Sequence, residues 1–185
     1  MITIRAARTT DVRAIRGLID VYSVDGSLLS KATVTIFEQI QEFLVAEVDG
    51  AVIGCGALHV MWEDLAEVRT LAVRPDQARN GIGSQILEQL LTNARELGIK
   101  RVFCLTFMKE FFGRHGFVEI DDTLVGHDVY EQLLQSYDEG VAEFLGLERV
   151  KPNTLGNFRM LRESLEPRNP VPEGALGEPN SWRPR

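Results

Sequence analysis

Cysteine is nearly missing from this chain: there are two, Cys55 and Cys104, each inside an apolar, strand-like run. A free cysteine in that setting behaves as a small buried hydrophobe, which excludes a disulfide framework and a thiolate zinc site. Only three histidines occur, and their spacing forms no metal set with the carboxylates. No apolar run approaches the roughly 18 residues that cross a bilayer, and residues 1–8 enter an alternating strand pattern rather than a signal-peptide core. The expectation is a cytoplasmic protein. Excess positive charge is absent too. With a formal net charge of -7, the overall field repels nucleic acid and anionic membranes, so an anionic ligand must rely on local donors.

What is present is an ordinary globular composition, 44% apolar and 25% charged, over 185 residues that suit one core. Ile2 to Arg5 alternates as a strand. Thr9, Thr10 and Asp11 then offer helix caps before Val12, Ile15, Leu18, Ile19 and Tyr22 at helical spacing. Val34, Phe37, Ile40 and Gln41 suggest a short second helix, and Phe43 to Val48, Asp49-Gly50 and Ala51 to Val60 spell a hairpin. Ala66 to Val73 is a further strand. The strongest helix pattern runs from Gly81 to Leu97, with Gly98 as its stop, and leads into the strand Arg101 to Phe107 as a parallel crossover. Shorter elements follow: a helix around Glu110 to Arg114, a strand from Phe117 to Ile120 and a helix from Val129 to Tyr137. Five of the seven prolines lie between Pro167 and Pro184, so residues 1–161 are expected to form the domain and 162–185 a disordered tail.

The helix starting at Asn80-Gly81-Ile82-Gly83-Ser84 carries the chemical signal. Its first N–H groups have no internal partner and sit at the positive end of the helix dipole, so main chain alone can hold a pyrophosphate. Two ligand classes drop out. A Rossmann site would place its glycines directly after the first strand, and a Walker loop requires Gly-Lys-Ser/Thr, whereas Gly83 is followed by Ser84.

Ala66-Glu67-Val68-Arg69-Thr70-Leu71-Ala72-Val73, Arg74-Pro75-Asp76 and Arg79-Asn80-Gly81-Ile82-Gly83 together resemble the GCN5-related N-acetyltransferase family. The second family segment is Phe111-Phe112-Gly113-Arg114-His115-Gly116-Phe117. The resemblance implies an α/β fold with a mixed sheet of about six to seven strands, helices on its flanks, and an acyl-CoA slot between splayed parallel strands. It implies acetyl-CoA as cosubstrate, bound by Leu71, Ala72, Val73, Arg79, Asn80, Gly81, Ile82, Gly83, Ser84 and Phe112, with Glu67 as general base and no metal. The family's Gln or Arg three residues before the first glycine is Ala78 here, and its frequent acidic Tyr is Phe112.

A finer resemblance is to bacterial N-acetylglutamate synthases, in particular the short stand-alone actinobacterial type. Leu28-Leu29-Ser30-Lys31, Phe103-Cys104-Leu105-Thr106-Phe107, Ala142-Glu143-Phe144-Leu145 and Val150-Lys151-Pro152-Asn153 carry it. It implies transfer of acetyl to L-glutamate, the first step of arginine biosynthesis, with Lys31, Arg69, Arg149 and Lys151 as carboxylate clamps. The arginine-binding domain that other synthases carry ahead of this one has no counterpart in these residues, and a homodimer is left open. Arg69 shares a strand face with Glu67, so pairing between the two is the alternative to substrate binding. Cys104 as an acyl carrier with His115 as base is rejected in favour of a core thiol, and His59 and His115 are expected at a strand end and a helix end. Competing functions are acetylation of another small amine, such as glutamine or a polyamine, and a non-catalytic acyl-CoA sensor.

Overall fold

A computed structural model describes residues 1–24, 26–28, 30–121, 125–138, 141, 145 and 157–165. Seven strands form one mixed sheet: β1 (Thr3–Ala6), β2 (Phe43–Val48), β3 (Ala51–Trp62), β4 (Leu65–Val73), β5 (Arg101–Thr106), β6 (Val118–Glu119) and β7 (Phe158–Arg162). Their spatial order is β1-β2-β3-β4-β5-β7-β6. Among the described strands β4 and β5 are the parallel pair, joined by a helix that crosses over the sheet. That helix, α3 (Ile82–Glu96), buries Ile82, Ile86, Leu87, Leu90, Leu91 and Ala94 on one face of the sheet. Its stripe is the one visible in the sequence. Gly98, with φ of +83°, closes it in the left-handed conformation.

The opposite face is covered by α1 (Val12–Ser23) and α2 (Thr33–Glu38). Asp11 begins α1, its carboxylate accepting the Arg8 N–H at 2.8 Å while Arg5 pairs with it at 2.7 Å. In α2 the expected apolar stripe was misplaced: Val34 and Phe37 are exposed and Ile36 is the buried residue. A six-residue helix followed by a 3-10 turn, Ile40–Glu42, is too short for a 3.6-residue repeat to set its inward face. Two glycines of β3 bring α3 close to the sheet. A Cβ on Gly54 would sit 3.0 Å from Ile86 Cδ1, and one on Gly56 would sit 2.9 Å from Ile86 Cγ2.

Beyond β5, α4 (Lys109–Arg114) ends at His115, and α5 (His127–Leu133) starts and stops earlier than the sequence pattern suggested. Leu133 joins Met61, Leu65, Phe103, Val141, Leu145 and Leu161 in a third apolar cluster at that end of the sheet. β7 ends at Arg162, and Leu165 is buried with its N–H on Lys100 O, so packed structure continues past residue 161. The Pro-rich tail and the segments Ala142-Glu143-Phe144 and Val150 to Asn153 lie outside the described residues.

Candidate active site

Strands β4 and β5 pair at only three positions, Leu65↔Arg101, Ala66↔Val102 and Glu67↔Phe103. Past that point β4 follows β3 as far as Gly54↔Val73 while β5 follows β7 as far as Thr106↔Phe158, and a slot opens between them. A bulge in β4 drives the parting. Cys55 and Ala57 are separated by one residue, but their partners Ala72 and Arg69 are separated by Thr70 and Leu71, and Thr70 takes φ of +58° to absorb the excess. Arg74 N–H donates to Ile53 O at 2.8 Å, so by the two-residue alternation the Val73 N–H and C=O face away from β3, into the gap. The Tyr22 hydroxyl from α1 donates to that Val73 carbonyl at 2.6 Å.

At the head of the slot stands the N-terminus of α3. Gly81 is its N-cap at φ of +75°, in a turn that also holds Arg79 at +66°. The turn aims the first N–H groups of a 15-residue helix at whatever lies against them, with the dipole behind. Phe111 packs over Gly83, whose added Cβ would lie 3.6 Å from the ring.

Glu67 lies where the slot begins, 5% exposed, and its Oε2 has no hydrogen-bond partner among the described residues. Burial pushes its carboxyl up to about 7, against the pull of Arg69 and His59. Arg69 Nη1 stands 3.7 Å from Glu67 Oε2, beyond hydrogen-bond range, while the same guanidinium bonds Asp138 and Glu42 at 2.9 Å each. His59, across the ladder from Glu67, bonds Glu42 at 2.9 Å. Burial disfavours the Arg69 charge, but Glu67, Asp138 and Glu42 together hold its pKa above the ordinary value. Lys31 faces the same group: burial lowers its ammonium pKa, and nearby Arg69 adds to the effect. Such a half-neutralised cluster, with an elevated carboxyl at its centre, suits proton abstraction beside a bound thioester.

The profile of the acetyltransferase (GNAT) family matches residues 24–119. The chain belongs to that family. This GNAT chain is 55% identical over 161 residues to an amino-acid acetyltransferase of Mycobacterium tuberculosis, covering 85% of this chain and 92% of that protein. It is 33% identical over 122 residues to an amino-acid acetyltransferase of Aeromonas salmonicida, of which it spans only 28%. Among solved structures, one from Mycobacterium tuberculosis in complex with CoA superposes with a TM-score of 0.84 at 54% identity, covering 87% of this chain and 98% of that one. N-acetylglutamate synthase from Neisseria gonorrhoeae, complexed with coenzyme A and N-acetyl-glutamate, gives a TM-score of 0.71 at 25% identity, covering 89% of this chain and 35% of that one.

Within this GNAT domain the residues named from the sequence separate into groups. Leu71 and Val73 border the slot, Ala72 turns into the opposite core, and Arg79 to Ser84 form the turn and first helical residues. Phe112 is buried between Phe111 and Phe117, and it is Phe111 that reaches the glycine turn. Glu67, Arg69 and Lys31 come together; Arg149 and Lys151 lie outside the described residues. His59 is not at a strand end but inside β3, opposite Glu67, because the strand runs on to Trp62. Sequence reasoning missed Tyr22, Glu42 and Asp138. Tyr22 looked like one more core position of α1, and Asp138 lies 69 residues from the Arg69 it binds. No spacing rule connects residues so far apart. Cys104 is buried, and burial together with nearby Glu67 raises its thiol well above the ordinary value, which agrees with a core role.

Proposed function

We propose that this GNAT chain transfers the acetyl group of acetyl-CoA to the amino group of L-glutamate, in a ternary complex without an acyl-enzyme. The observation that carries the reading is the buried Glu67 carboxylate at the mouth of the slot, with one oxygen unpartnered and an elevated pKa. The amine nitrogen attacks the thioester carbonyl, the C–N bond forms, the C–S bond breaks, and the proton released by the ammonium passes to Glu67 directly or through water. Slot-facing backbone of β4 holds the pantetheine arm and the N-terminus of α3 takes the pyrophosphate. Phe112 has no proton to offer, so the departing thiolate is protonated by solvent; a thiol near pKa 8.5 is an adequate leaving group without an acid.

The acceptor's carboxylates need cations. Arg69 already has Glu42, Asp138 and Glu67 within 4 Å, whereas Lys31 has no ion pair to any described residue. Lys31 is therefore the clamp favoured by the geometry, with Arg149 and Lys151 as further candidates on sequence grounds and Arg69 as the residue that shapes the pocket. The mycobacterial and neisserial relatives support amino-acid acetylation. Measuring CoA thiol release with acetyl-CoA and a panel of glutamate, glutamine and polyamines tests this. Release that depends on glutamate above the other acceptors is expected; release without any glutamate dependence overturns it.

A further inference from the structure

Arg69 and Glu67 are two residues apart on β4 and share a face, so the carboxylate nearest in sequence to the buried guanidinium is the proposed base itself. That bond is left unmade. Arg69 Nη1 stands 3.7 Å from Glu67 Oε2, and both Glu67 Oε2 and Arg69 Nε are buried with no hydrogen-bond partner among the described residues. What holds the guanidinium elsewhere is a pair of carboxylates from distant parts of the chain. Asp138 accepts from Nη1 and Glu42 from Nη2, each at 2.9 Å. Both holders are themselves held. The Asp138 carboxylate also accepts from Gln39 Nε2 at 3.2 Å and from the Val141 N–H at 3.1 Å, and Glu42 Oε1 lies 2.9 Å from His59 Nδ1. Burial alone would favour their neutral forms, yet both carboxyls sit below their ordinary values, Glu42 through His59 and Arg69, Asp138 through Arg69. Two charged acceptors in fixed positions outweigh one.

We propose that Asp138 and Glu42 are positioning residues for the reaction, holding the Arg69 guanidinium off Glu67 so that Oε2 stays open to the acceptor's proton. The inference rests on the reading of Glu67 as the base. A guanidinium bonded to Glu67 would occupy that oxygen and favour its charged form, which makes a carboxylate a weaker base. With Arg69 held away, Glu67 feels its neighbours through their fields alone: Arg69 on its own strand, His59 across the ladder on β3, Lys31 in the loop before α2 and Asp138 after α5. The buried Cys104 thiol on β5 is the remaining titratable neighbour, and Glu42 acts on Glu67 through Arg69 and His59. The hold is asymmetric. Asp138 restrains Nη1, the nitrogen that lies 3.7 Å from Glu67 Oε2, whereas Glu42 restrains Nη2, so releasing Asp138 has the larger effect.

Asp138→Ala frees Nη1 and Glu42→Ala frees Nη2. In Asp138→Ala the guanidinium is expected to close on Glu67, seen as an Nη1–Oε2 distance of about 3 Å in a crystal structure of the variant. The rise of kcat/KM with pH, followed as CoA thiol release with glutamate as acceptor, should then move down by about one pH unit. At pH about 8.5, kcat should fall about tenfold while the KM for acetyl-CoA stays within a few-fold. Glu42→Ala should show the same changes at smaller size. Asp138→Asn, which keeps the side chain's shape but not its charge, serves if the alanine variant does not fold, and the same direction is expected of it. A guanidinium that stays clear of Glu67 in these variants overturns the proposal even where the pH profile moves, since losing the Asp138 charge by itself lowers the Glu67 carboxyl. An unmoved profile with the guanidinium closed on Glu67 overturns it as well. A rise with pH that persists in Glu67→Gln instead removes Glu67 as the base, and the positioning role with it.

Discussion

Glu67 and Phe103 form the last rung of the ladder between β4 and β5, so the buried carboxylate lies at the point where the two strands part. Backbone register thereby fixes the distance between the proposed base and the slot for the thioester. A one-residue slip would turn Glu67 to the opposite face. The β4 bulge lies just downstream and leaves that rung intact, since its extra residue falls between Arg69 and Ala72.

Replacing Glu67 with Gln should lower kcat by about 10² to 10⁴ while leaving the KM for acetyl-CoA within a few-fold. In the wild type, kcat/KM should rise with pH through about 7, as the Glu67 carboxyl ionises. The variant should lack that limb. A profile of kcat/KM against pH for both proteins checks this, and an unchanged limb in Glu67→Gln would assign it to another group.

The same carboxyl links stability to pH. Folded Glu67 holds its proton up to about 7 where the ordinary glutamate value is 4.5, so the folded state binds the extra proton between those values. Stability contributed by the neutral form is present below the ordinary value and lost as pH rises through about 7. Removing the charge with Glu67→Gln should therefore stabilise the fold by up to roughly 2 to 3 kcal/mol at pH 8 and by little at pH 5. Thermal melts of both proteins at the two pH values read out the difference.

Lys31→Met keeps an unbranched side chain, one atom shorter, and removes its charge. Losing a charged hydrogen bond to a substrate carboxylate is worth about 1.5 to 3 kcal/mol, so the KM for glutamate should rise roughly 10- to 100-fold. Acetyl-CoA binding should be unchanged in calorimetry. Because burial lowers the Lys31 ammonium pKa, wild-type kcat/KM for glutamate should also fall at a less alkaline pH than an ordinary lysine would dictate, and the variant should lose that descending limb.

Gly56→Ala places a methyl 2.9 Å from Ile86 Cγ2 and 3.1 Å from both Leu71 Cδ1 and Leu90 Cδ1. The core must shift α3 or the bulged part of β4, at a cost of about 1 to 3 kcal/mol. Chemical denaturation should show that loss. Since both shifted elements border the proposed CoA site, the KM for acetyl-CoA should rise along with it.

Much of this was legible in order along the chain. The α3 stripe, the Asp49-Gly50 hairpin turn and the buried run of β5 each follow from local rules: helical period, positive φ at an Asp-Gly pair, and continuous apolar residues in a strand covered on both faces. Where those rules had too few residues to act on, as in the six-residue α2, the inward face was assigned wrongly.

By itself the sequence determined the strand, glycine turn and helix that suit a pyrophosphate, and it singled out Glu67 through neighbours adjacent in the chain. Tertiary structure alone decided the environment of Glu67. His59, Asp138 and Lys31 act on it from β3, the segment after α5 and the loop before α2; its own burial raises the carboxyl to about 7, with Arg69, His59 and Lys31 opposing the rise and Asp138 adding to it. Ser84, His115 and Glu88 likewise meet only because α4 ends beside α3. Desolvation and Coulomb interaction depend on distance in space, and residues separated by tens of positions acquire that distance only when the sheet is assembled.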